Sequence, residues 1–152
     1  MKIDFNIPTI KKAKKNYDKA TNVFYDCGKT FEKVVEKSGC HECEKFVTLY
    51  SRKDWTKIFN HCTGCKAEKK ILEIQKEYIA KSQELTAVKK LYAEAIFDYL
   101  SPLNPKLYSR PEKKHVLWNK AFPKSFNDVP EILYASIIAL VEQVGGRYTL
   151  ED

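Results

Sequence analysis

Apolar residues recur at intervals of three and four along most of this chain, the spacing of helices that bury one face. The first ten residues show little period, and Pro8 argues against a helix that early. Ala20, Val23, Phe24, Cys27, Phe31, Val34 and Val35 then share one helical face. Ser38-Gly39 ends that helix, with Gly39 suited to a left-handed cap. Cys27 lies inside the stripe, where a thiol serves as a small hydrophobe of the core.

Residues 40–65 are harder to read. Ser51 and Asp54 precede Trp55, Ile58 and Phe59, which predicts a short helix with a capped start. Phe46-Val47-Thr48-Leu49-Tyr50 fits a short strand, yet Cys43, Phe46, Val47 and Tyr50 also fit helical spacing. From about 66 to 100 runs the strongest pattern: Ile71, Ile74, Tyr78, Leu85, Val88, Tyr92, Ala95 and Tyr99, with Lys81 the one miss and no Gly or Pro. Such a helix is roughly 50 Å long. Leu72, Ile79, Leu91, Ile96 and Phe97 widen its stripe, which favours packing within a bundle over a two-stranded seam, although a homodimer through this helix remains an alternative. Pro102, Pro105 and Pro111 punctuate a loop, and Pro111 suits the first turn of a short helix carrying Val116, Leu117 and Trp118. Asp128 is then expected to cap a final helix burying Val129, Ile132, Leu133, Ser136, Ile137, Leu140, Val141 and Val144, closed by Gly145-Gly146. The expectation is one mainly α domain over 1–152, with a metal-binding segment at 40–65 and a helical packing module over 66–144.

The length of 152 residues suits one core, and 43% apolar with 12% aromatic residues supplies it. No stretch approaches the apolar run of a transmembrane helix, and the N-terminus lacks the long apolar region of a signal peptide. An intracellular protein, cytoplasmic or nuclear and away from membranes, is expected. The net charge of +7 is unevenly placed. Residues 1–76 hold 17 basic against 10 acidic side chains, whereas residues 77–152 hold 10 of each. A field of this sign favours anionic partners, nucleic acid first. Only Arg52, Arg110 and Arg147 are arginines, so a lysine-dominated surface would attract phosphates with weak sequence specificity.

Chemistry concentrates in four cysteines. Cys40-His41-Glu42-Cys43 and Cys62-Thr63-Gly64-Cys65 are two pairs, each with two intervening residues, so each can turn both sulfurs toward one ion. Two such pairs complete a tetrahedron, and Zn2+ in a closed Cys40, Cys43, Cys62, Cys65 shell is the reading they support. Sulfur-only ligands also suit an iron–sulfur cluster, and redox thiols or disulfides are a further alternative. The second pair is expected to head the long helix, where thiolates gain from its dipole. The layout is similar to treble-clef zinc modules. His41 and His61 each neighbour a cysteine and are expected to give outer hydrogen bonds or face solvent. Cys27-Gly28-Lys29-Thr30-Phe31 resembles the heart of a two-cysteine, two-histidine finger, but Phe24 stands where a second cysteine is needed and no histidine pair follows.

A closed four-cysteine shell leaves no open position for catalysis, and no phosphate loop, dinucleotide glycine motif or serine elbow is present, so no enzyme is expected. Two uses fit. In one, an accessory protein of transcription or of another nucleic-acid process meets phosphates through Lys11, Lys12, Lys14, Lys15, Arg52, Lys53, Lys57, Lys66, Lys69 and Lys70. In the other, a zinc-stapled helical adaptor or inhibitor binds a protein partner and no nucleic acid.

Overall fold

A computed structural model describes residues 3–103 and 123–142. It is helical, with no strand among the described residues. The described residues form five α-helices: α1 (Pro8–Lys37), α2 (Glu44–Ser51), α3 (Trp55–Cys62), α4 (Glu68–Leu100) and α5 (Tyr134–Glu142). Short 3-10 turns lie at Cys40–Glu42, Ser101–Leu103, Phe126–Asp128 and Glu131–Leu133. The long helix expected from about 66 to 100 is α4, and the ambiguous segment at 46–50 belongs to α2.

Pro8 begins a helix instead of preventing one. At the first helical position its missing N–H costs nothing, because the first four N–H groups of a helix have no intrahelical partner. α1 therefore starts twelve residues before the stripe that announces it at Ala20. Its end is as expected, with Gly39 at φ 73°. The start of α3 is also as expected: Asp54 accepts from the backbone N–H of Lys57 at 3.3 Å.

The described residues group into two compact units: 3–18 with 86–103 and 123–142, and 19–85. α1 and α4 supply residues to both. In the first unit Ile3, Phe5 and Ile10 join Tyr92, Ala93, Ile96, Phe97 and Leu100 of α4 and Ile137, Ile138 and Leu140 of α5 in one core. Here the C-terminal half of α4 fully buries Ile96, one of the residues expected to widen the stripe, and Leu100, whereas the expected Ala95 and Tyr99 are only partly buried. The final helix also departs from expectation. Asp128 closes a 3-10 turn capped by Ser125, which accepts from Asn127 N–H, and the extended Pro130 resets the register before α5. Ile132 is consequently 84% exposed, not buried. The elements expected around 111–118, and Val144 to Gly146, lie outside the described residues.

The second unit packs Phe31 of α1, Phe46 and Leu49 of α2, Ile58 and Cys62 of α3, and Ile71 and Ile74 of α4 into a separate core. Cys40 is buried in the same core, so two metal-ligand candidates, Cys40 and Cys62, are anchored by apolar packing before any ion is considered. Phe31, Tyr50, Trp55 and Tyr78 form a connected aromatic cluster with ring centroids 5.1–6.2 Å apart. Such pairs add about 0.5–1.5 kcal/mol each beyond their buried area.

Candidate metal centre

Both cysteine pairs close a hydrogen-bonded turn, a 3-10 turn at the first and a turn through the extended Thr63 and Gly64 at the second. The N–H of Cys43 bonds the carbonyl of Cys40 at 3.1 Å, and the N–H of Cys65 bonds the carbonyl of Cys62 at 3.0 Å. A glycine at positive φ accompanies each turn, Gly39 at 73° just before the first pair and Gly64 at 84° within the second. A side chain at either position would be strained, and at Gly64 this freedom belongs to the cysteine turn itself. Cys43 caps the start of α2 and Cys62 is the last residue of α3.

The turns converge. Cys40, Cys43, Cys62 and Cys65 line one cavity of about 100 Å³, together with His61 and Phe46. His61 Nε2 lies 3.3 Å from Cys43 Sγ. Cys40 and Cys62 are buried, Cys43 is half-buried and Cys65 is exposed. Burial raises the Cys40 thiol, with Cys65 and Cys43 adding to it. Burial likewise pushes Cys62 up to about 11, reinforced by Cys40, Cys65, Cys43 and Glu68. The second pair stands just ahead of α4 and not on it: Cys62 ends α3, while α4 begins only at Glu68. The first turn of α4 instead directs the Glu68 carboxylate back to Gly64 N–H at 3.0 Å.

As the side chains stand, all five cysteines are free thiols, and no group of three or more His, Cys, Asp or Glu among the described residues is drawn together tightly enough to be a metal site. The donors share a cavity without closing a coordination shell. Their chemistry, four thiols and an imidazole, suits a divalent ion that prefers sulfur and nitrogen.

The ten expected phosphate contacts fall in different settings. Lys11, Lys12, Lys14 and Lys15 lie on the first turns of α1, and the other six lie between 52 and 70. Lys14 is committed elsewhere, bonding Asp18 at 3.1 Å and Glu142 at 2.9 and 3.0 Å. Lys57 pairs with Asp54 at 3.3 Å. Lys53 places its ammonium 4.1 Å from the ring centre of Tyr50, 5.7 Å from that of Trp55 and 5.3 Å from that of Tyr78. Nothing in the periodicity indicates this arrangement; a lysine flanked by Tyr50 and Trp55 is the only sequence signal for it. Lys11, Lys12, Lys15, Arg52, Lys66, Lys69 and Lys70 are exposed. His41 is 3.9 Å from Glu42 and does not line the cysteine cavity, and His115 lies outside the described residues.

No helix among the described residues is long and apolar enough to cross a membrane. Compared with protein families, curated proteins and solved structures, the chain has no significant match. Function must therefore be argued from the site.

Proposed function

We propose that this protein is a zinc-stabilised nucleic-acid-binding accessory protein that holds phosphate backbones through its basic N-terminal half. The observation that supports it is the span 52–70, which surrounds the second cysteine pair with six basic residues against two acids, Asp54 and Glu68. Both acids serve the fold itself, Asp54 as a helix cap and Glu68 as the partner of Gly64 N–H. Arg52, Lys66, Lys69 and Lys70 are left exposed, with no acid in that span free to neutralise them. When bound by the cysteine cavity, zinc would contribute folding free energy and no reaction. Cys40 and Cys43 would tie the start of α2 to the end of α3, fixing the basic span.

Titrating a labelled oligonucleotide of arbitrary sequence with zinc-loaded protein tests this. Four phosphate contacts on a duplex predict a loss of about 100-fold in affinity between about 50 and 200 mM salt. Lys66, Lys69 and Lys70 changed together to Glu should abolish binding while leaving helicity intact. Affinity that ignores salt would overturn the proposal. It would favour a protein-interaction module instead, a reading supported by the exposure of Val47 (45%) on α2 and Phe59 (52%) on α3.

A further inference from the structure

The cysteine cavity offers five donors, one more than a tetrahedral ion accepts. We infer that His61, not Cys65, completes the shell with Cys40, Cys43 and Cys62, leaving Cys65 as a spare thiol beside the ion. This rests on the zinc reading above and changes its ligand set.

Distance carries the first part. A nitrogen about 2.0–2.1 Å and a sulfur about 2.3 Å from one zinc ion, at a tetrahedral angle, stand about 3.5 Å apart. His61 Nε2 and Cys43 Sγ are 3.3 Å apart, a few tenths of an ångström from that edge. The imidazole already occupies the neighbourhood of a sulfur that a bound ion would require.

Placement carries the second part. His61 and Cys62 are consecutive residues in the last turn of α3, and Ile58 on the same helix is fully buried. The helix therefore presents both donors from a packed element. Cys65 lies beyond the helix end, past Gly64 at φ 84°, and is exposed. Cys65 stands on a turn outside any helix with its side chain exposed, whereas His61 is held by the same helix that supplies Cys62. An exposed thiol beside a filled shell is also the one open to electrophiles.

The experiment uses the full chain loaded with cobalt(II) as a spectroscopic stand-in for zinc, then zinc itself with a count of fast-reacting thiols. Three thiolates and one imidazole give weaker sulfur-to-cobalt charge transfer than four thiolates, and ligand-field bands at different energy. The expected result is a three-thiolate spectrum, unchanged in Cys65→Ser, and an ion affinity within about tenfold of wild type for that variant. His61→Ala should weaken binding well beyond the 10–100-fold typical of an outer hydrogen-bond partner. In zinc-loaded protein Cys65 should be alkylated fast. A four-thiolate spectrum, lost in Cys65→Ser and kept in His61→Ala, would overturn the inference and leave the zinc reading standing. A wild-type chain that binds neither ion would overturn both. Because the wild-type spectrum alone distinguishes the two shells, a variant that fails to fold does not remove the test.

Discussion

The hydroxyl of Tyr92 donates a 2.9 Å hydrogen bond to Oε1 of Glu142, linking α4 to the last described residue of α5. The Tyr92 residue is wholly buried, so its hydroxyl has to find a partner within the protein. Burial, followed by Glu142 itself, holds its proton well above the ordinary tyrosine range. Glu142 in turn faces Lys14 at 2.9 and 3.0 Å, and that hydrogen bond raises the lysine.

The consequence is an order of effects. Glu142→Leu strips the acceptor from a buried hydroxyl and should cost about 2–3 kcal/mol. Tyr92→Phe removes the hydroxyl that needs the partner while Glu142 keeps Lys14, and should cost about 1–2 kcal/mol. Lys14→Met removes two partly exposed ion pairs, to Asp18 and Glu142, with the lysine side chain 40% exposed, and should cost under about 1 kcal/mol. Urea unfolding of the three variants checks the ranking. Equal losses for Lys14→Met and Glu142→Leu would mean that the ion pair, not the hydroxyl, dominates.

Lys53 is the one non-glycine residue with positive φ among the described residues, at 55°. It follows the end of α2 in a turn where Lys53 N–H bonds Tyr50 O at 3.0 Å and Asp54 N–H bonds Leu49 O at 3.1 Å, the paired bonds of a Schellman cap. Glycine is the usual residue there, and lysine gives up about 1 kcal/mol of backbone preference. Its ammonium over Tyr50 offsets this by about 0.5–1 kcal/mol. Lys53→Gly should therefore leave stability nearly unchanged, while Lys53→Ala keeps the strain, loses the ring contact and should cost about 0.5–1 kcal/mol. A thermal melt that ranks alanine at or above glycine would contradict this account.

Gly28 sits inside α1, where glycine weakens a helix. A methyl group there would meet only Tyr78 Cε2, at 3.8 Å, an ordinary contact. Gly28→Ala should raise the unfolding free energy by about 0.4–1 kcal/mol, chiefly by restricting the unfolded chain. A loss of stability would show that the space beside Tyr78 is needed for ring motion or repacking.

These sites differ in how far the sequence discloses them. α4 is legible because no Gly or Pro interrupts residues 68–100 and its apolar stripe is broad. The cysteine turns are legible because the spacing of each pair, with Gly39 and Gly64, limits the backbone to a few conformations. The start of α1 is not, because proline disfavours the interior of a helix yet suits its first position. Ile3 and Phe5 are buried from an extended stretch too short to show a period. Ile132 has the spacing of a core residue, but a 3-10 turn rotates it outward. The approach of His61 to Cys43 depends on how α3 packs beside α2, which no local pattern encodes.

Cys27 supplies a prediction in pH. Its residue is 7% exposed, in the C-terminal half of α1. Burial raises its thiol above the usual range, Glu77 adds to the rise and Lys81 opposes it. An unfolded cysteine ionises near about 8.5. Below that pH both states hold the proton and the contribution of the buried thiol is fully present. As pH rises further, the unfolded chain releases its proton first while the folded chain retains it. Unfolding therefore becomes easier, and the contribution is lost as pH climbs through the folded value. The stability advantage of wild type over Cys27→Ala should shrink between about pH 8.5 and pH 10. The other cysteines titrate in both proteins and largely cancel from the difference. Denaturant midpoints measured across that range check it, and parallel curves would mean that the Cys27 thiol ionises as freely in the fold as outside it.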